Sequence, residues 1–178
     1  MIQYYLKYAI FLLLFSVANI SWGNLASDDH LSLERDTDKL VSQELEKRDD
    51  VALLDMLYEA IQDEYLSYHT YLNVIERLGS VRPFVNILNA EARHIEAISG
   101  LYRARELAVP ESNWNLNNVP IYETRQEACG AAVIVEIENI SMYDRFLSQE
   151  LPFDVELVFQ ELRLASLERH LPAFSRCQ

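Results

Sequence analysis

Phe84-Val85-Asn86-Ile87-Leu88-Asn89-Ala90-Glu91-Ala92-Arg93-His94-Ile95-Glu96-Ala97-Ile98-Ser99-Gly100-Leu101 carries the pattern that decides this chain. Phe84, Ile87, Ile98 and Leu101 recur at helical spacing, and the row they define runs through Glu91 and His94. A carboxylate and an imidazole three residues apart stand on the same side of one helical turn. Burying an unpaired carboxylate opposes folding by several kcal/mol. A seam holding both groups therefore calls for a cation or for compensating hydrogen bonds.

Three further segments repeat the pattern. Before this helix, Leu54, Leu57, Ile61, Glu64, Tyr68, Tyr71, Ile75 and Leu78 form one seam, stopped by Gly79. After it, Thr124-Arg125-Gln126-Glu127 reads as a capping box opening a third helix, with the seam Cys129, Val133, Glu136, Ile140, Tyr143 and Leu147. The fourth helix starts near Asp154, read as its N-cap, and its face carries Phe159, Leu162, Ser166, His170 and Phe174, with Pro172 kinking or ending it. Each helix thus has a polar interruption near its middle: Glu64, Glu91 with His94, Glu136, and His170. Three carboxylates and two neutral imidazoles converging on one point suit iron or manganese, which need no soft thiolate.

Short links at 79–82 and 148–153 make helices one and two, and three and four, antiparallel pairs. Between the pairs lie 106–123, with Pro110, Trp114, several asparagines and Pro120. Fully extended, such a stretch reaches roughly 59 Å, against roughly 35 Å for the helices. A crossover along the helices is within reach. The expected fold is all-α, a four-helix bundle of two antiparallel pairs joined by a long crossover. Antiparallel third and fourth helices also bring Cys129 and Cys177 together, so an intrachain disulfide is expected in an exported chain.

Composition agrees. Across 178 residues, 50% are hydrophobic and 24% charged, enough for one domain with a core, and four glycines leave few hairpin turns. A net charge of −13 without a basic run excludes a phosphate-backbone binder, so no nucleic-acid partner is expected. G-x-S-x-G, H-E-x-x-H and P-loop patterns are missing, which disfavours a hydrolase.

The N-terminal end reads as an address. Lys7, the apolar run 8–20 and Ser21-Trp22-Gly23 fit a signal peptide of residues 1–23, cleaved before Asn24. Export to the periplasm or beyond follows, with no stable membrane anchor after cleavage. Residues 24–50 read as an acidic flexible arm with a helical turn or two, and 51–178 as the bundle. His30 and His69 read as surface residues. The implied partners are metal ions, with a homo-oligomer left open.

Val81-Arg82-Pro83-Phe84-Val85-Asn86-Ile87, Ala90-Glu91-Ala92-Arg93-His94, Glu136-Ile137-Glu138-Asn139-Ile140 and His170-Leu171-Pro172-Ala173-Phe174 resemble a ferritin-like four-helix-bundle family of bacteria and archaea without assigned activity, distantly similar to rubrerythrin. The resemblance runs from about Leu57 to Arg176. It implies a two-metal site with ligands on Glu64, Glu91, His94, Glu136 and His170, Glu91 bridging. It leaves oxidase- or peroxidase-type redox activity open. Independently of the resemblance, the seam tyrosines Tyr68, Tyr71 and Tyr143 read as core aromatics, with hydrogen-bond donors to the ligands or redox relays as the alternatives.

The chain departs from that pattern in its fourth helix. Leu167 stands where a second E-x-x-H would place its carboxylate. In a regular helix Glu168 and Glu161 point about 200° and about 180° away from His170, though a π-bulge could turn one inward. The readings are two metals with one bridging carboxylate, one metal, or none. A metal-free helical module, acting in the envelope through a contact loop at Trp114, is the competing function.

Overall fold

The computed structural model describes residues 27–177, without the side chains of 27–38, 45–46 and 48–49. The signal-peptide reading of 1–23 and the side chain of His30 lie outside the described residues. The chain divides into two units, one ending at Gln43 and one spanning Glu44–Gln178.

All regular structure among the described residues is helical: α1 (Ser27–Leu78), α2 (Phe84–Ala104), α3 (Arg125–Leu147), α4 (Phe153–Ala165), a π-helical turn (Ser166–His170) and α5 (Leu171–Ser175). The all-α expectation holds. The helix boundary at the N-terminal side does not: α1 begins at Ser27, where a polar arm with a helical turn or two was expected. Charged residues at three- and four-residue spacing, as in 28–50, are compatible with a solvated helix even without an apolar stripe.

Within Glu44–Gln178 two apolar layers fix the helix directions. One joins Leu57 and Ile61 of α1, Ile98 and Leu101 of α2, Met142 and Phe146 of α3, and Val155 and Phe159 of α4. The other joins Tyr71 and Val74 of α1, Phe84 and Ile87 of α2, Ala128 and Cys129 of α3, and Phe174 of α5. From the first layer to the second, α1 and α4 therefore ascend while α2 and α3 descend.

Local signals set the ends. Gly79, at φ +85°, takes the left-handed conformation that stops α1, and its N–H reaches Ile75 O at 2.9 Å. Thr124 and Glu127 form the expected capping box: Thr124 Oγ1 accepts from Glu127 N–H at 3.2 Å and Glu127 Oε2 accepts from Thr124 N–H at 3.2 Å. Asp154 is not the cap of α4. It lies in the first turn, and its two oxygens accept from Arg105 at 2.9 and 3.0 Å, tying the end of α2 to the start of α4.

The crossover runs back along α1. Gln62 donates to Glu111 O and accepts from Asn113 N–H, each at 2.9 Å, Asn73 donates to Leu116 O at 3.1 Å, and Arg77 pairs with Glu123. Trp114 is half-buried there rather than displayed, and His69, read as a surface residue, is half-buried too.

The π turn follows from Pro172. Proline has no N–H to donate to Glu168 O four residues back, and its ring crowds that carbonyl. The chain widens by one residue, with Leu171 N–H bonding to Ser166 O. In a regular helix each four-residue step drifts by about 40°. The wide turn absorbs that drift, so Ser166, His170 and Phe174 all remain buried.

Cys129 and Cys177 are joined, with Cα atoms 5.9 Å apart and a sequence separation of 48, closing a stretch that contains most of α3 and all of α4 and α5. Loop-closure entropy for that length is worth about 4 kcal/mol. Cys129→Ala/Cys177→Ala should lower the unfolding free energy in urea by about that amount; an unchanged midpoint would show that the bridge contributes nothing.

Candidate metal centre

The two apolar layers leave a polar layer between them, and the five interruptions meet in it. Glu64 comes from α1, Glu91 and His94 from α2, Glu136 from α3 and His170 from the π turn, and all are buried. His94 Nδ1 stands 3.1 Å from Glu64 Oε2 and 3.1 Å from Glu91 Oε2. His170 Nδ1 stands 3.2 Å from Glu91 Oε1 and 3.5 Å from Glu136 Oε2. Glu91 thus turns one oxygen to each histidine. The two imidazoles stack, with centroids 5.3 Å apart and planes 19° from parallel.

The outer oxygens have their own donors. Tyr143 of α3 donates to Glu64 Oε1 at 2.7 Å, and Tyr71 of α1 donates to Glu136 Oε1 at 2.8 Å. The Glu and the Tyr seven residues later on α1 and α3 therefore exchange partners: each helix's tyrosine holds the other helix's carboxylate. Tyr68, on the same predicted seam, is half-buried and has no such contact with the five.

Two groups result, Glu64 with Glu91 and His94, and Glu91 with Glu136 and His170. In each, one donor atom per residue lies within 4.8 Å of the others, an arrangement that could hold a metal ion. Hydrogen bonding alone satisfies these groups poorly. One N–H on His94 Nδ1 faces two oxygens at equal distance, and His170 Nδ1, though buried, has no well-directed hydrogen bond to either oxygen it faces. Its approach to Glu91 is an ion-pair contact.

Electrostatics follow from crowding. Burial raises the Glu64 carboxyl, against the pull of His94. Burial acts upward on Glu91 too, but His170 and His94 outweigh it and hold that carboxyl below its usual value. Burial opposes charge on His94, yet Glu64 and Glu91 push it up to about 10; for His170, Glu136 and Glu91 overcome burial and push it up to about 9. Two imidazolium protons thus offset the carboxylates when no cation does, and metal must displace them. Burial, with Glu136 beside Tyr71 and Glu64 beside Tyr143, drives both phenols well above 10, so they stay neutral donors.

A neighbouring polar chain escaped the sequence reading. Asn139 donates to Asp63 Oδ2 at 2.7 Å, and Ser166 donates to Asn139 Oδ1 at 2.8 Å, linking α1, α3 and the π turn. Burial, with Glu64, Glu91 and Glu136 adding, lifts Asp63 to about 7 against the Asn139 hydrogen bond. Ser166 in the fourth seam was the available signal, since a buried hydroxyl needs a partner. The π turn forms, but it delivers His170 alone: Leu167, Glu161 and Glu168 are all exposed.

No protein-family model and no curated protein matches this sequence. Among solved structures, a hypothetical protein from Methanococcus jannaschii is similar, with a TM-score of 0.61 and 19% identity over 68% of this chain and 77% of that one. The likeness is one of fold. No described helix is long and apolar enough to cross a membrane.

Two outcomes are expected. Both histidines sit above their unfolded value of 6.5, so in metal-free protein their contribution is full below that pH and is lost as pH rises through about 9 and about 10. Melting temperature after chelation should fall across that range, and a flat profile would contradict the ion pairing. Tyr143→Phe leaves Glu64 Oε1 without its donor and should cost about 1–3 kcal/mol in denaturant unfolding.

Proposed function

We propose that this chain is an exported ferritin-like four-helix bundle that holds two ions of iron or manganese in its polar layer. The observation that carries the reading is the shared carboxylate: Glu91 gives one oxygen to each of two buried Glu-His groups. The ascending and descending order of the helices around the crossover supports the bundle assignment. The disulfide suits an oxidising compartment, which supports export to the periplasm or beyond.

The donor set fits the group. Three carboxylates and two imidazole Nδ1 atoms, without a thiolate, match hard to borderline divalent ions. Such ions, once bound, supply one-electron chemistry toward dioxygen or peroxide. The chain's own residues do the rest. Tyr143 and Tyr71 fix the rotamers of Glu64 and Glu136 through their outer oxygens, and the Asp63–Asn139–Ser166 chain holds the π turn that presents His170. Leu167 supplies no donor, so the second half-site has one carboxylate of its own, Glu136, beside the shared Glu91. The metal-free module reading has no comparable observation in its favour: three backbone groups of its contact loop, at Glu111, Asn113 and Leu116, are bonded to α1.

Elemental analysis after anaerobic ferrous or manganous loading should find about two equivalents per chain, falling to near zero in Glu91→Ala/His94→Ala. Loading should also raise the melting temperature of the wild type alone. A folded wild type that takes up neither metal would overturn the reading.

A further inference from the structure

Ten arginines lie between Arg77 and Arg176, and they fall into two sets. Arg77, Arg103, Arg105, Arg145 and Arg163 each pair with a carboxylate: Glu123, Glu96, Asp154, Glu59 and Asp144. Arg82, Arg93, Arg125, Arg169 and Arg176 form no ion pair among the described residues. Those five are not scattered. All of them line two clefts on one side of the polar layer.

The first cleft, of about 490 Å³, lies between α2 and the run from α4 to α5; Arg93 and Arg169 line it together with His94 and His170. Ala90, Ala97 and Ala165 leave it room. The second, of about 410 Å³, is lined by Arg82, Arg125 and Arg176, and Pro83, Asn86 and Ala173 are common to both. The two therefore adjoin. Glu161 is the single carboxylate in the first, and none lines the second.

In a chain with 28 Asp and Glu, partners for arginine are abundant. Leaving five guanidinium groups together without them raises the local potential and concentrates anions at the cleft. Guanidinium forks match carboxylate and phosphate oxygens two at a time. In a chain of net charge −13, five guanidinium groups without ion pairs among the described residues thus line clefts that reach the buried histidines.

We propose that the double cleft binds a small oxyanionic molecule, its carboxylate or phosphate group held by Arg82, Arg125 and Arg176 and its body lying between Arg93 and Arg169 against His94 and His170. Binding itself needs no metal. Its role as the substrate site rests on the metal reading above: two divalent cations against Glu64, Glu91 and Glu136 leave one positive charge, which favours an anionic ligand at the same side.

The test is calorimetric titration of the full chain, freed of metal on a chelating resin, with inorganic phosphate and separately with succinate at low ionic strength. Wild type should bind at least one probe. Arg82→Gln/Arg125→Gln/Arg176→Gln should weaken it at least about tenfold, while Arg77→Gln/Arg103→Gln/Arg145→Gln, with the same charge change, should stay within about twofold. Should the cleft triple variant fail to fold, Arg82→Gln and Arg176→Gln singly should each weaken binding by about threefold or more. Absence of binding at about 10 mM of either probe, or equal loss in the control variant, overturns the proposal. Repeating the titration beside elemental analysis after ferrous loading separates the two claims: anion binding without metal uptake keeps the cleft and sinks the centre, and metal uptake without anion binding does the reverse.

Discussion

Three carboxylates within one buried layer are the constraint on which the rest of this molecule depends. Glu64, Glu91 and Glu136 repel one another in a medium that screens little, and among the described residues no arginine or lysine pairs with them. The residues that compensate are His94, His170, Tyr71 and Tyr143, and each has to arrive at an oxygen atom with little tolerance. Crossing the tyrosines between α1 and α3, widening the helix before Pro172 and pinning Cys177 to Cys129 all serve that placement. The apolar layers above and below supply the folding free energy that tolerates it.

The second helix was wholly legible in the sequence. Phe84, Ile87, Glu91, His94, Ile98 and Leu101 are all buried as the seam required, because polar residues on the other side leave the stripe unambiguous. The third helix was legible in place but not in face. Val133, Ile140 and Leu147 are half-buried, whereas Ala132, Asn139, Met142 and Phe146 are buried. Apolar residues such as Ile134 and Ile137 stand on its outer side, so periodicity alone cannot choose. Glu136 and Tyr143 were nevertheless found, since a seam defined by its polar interruptions survives a shift of its flanks.

What sequence could not decide was how the fourth helix ends. Pro172 announced a disturbance without saying whether it would bring in Glu161, Glu168 or nothing further. The outcome depends on where the extra residue is absorbed, and Ser166, held by Asn139, and Leu171 mark its limits. Asp63 and Asn139 were invisible for a related reason: each is an ordinary surface residue type until a partner from another helix is known.

The exchanged tyrosines have a consequence for how the molecule assembles. The hairpin of α1 and α2 contains Glu64, Glu91 and His94 but lacks the donor for Glu64 Oε1, which is Tyr143. The hairpin of α3, α4 and α5 contains Glu136 and His170 but lacks the donor for Glu136 Oε1, which is Tyr71. Neither hairpin can complete its own half of the polar layer, and the contacts that do so, Tyr71 with Glu136 and Tyr143 with Glu64, span 65 and 79 residues of sequence. The layer is a clasp between two halves: its two cross-hairpin hydrogen bonds form only when the hairpins pack together.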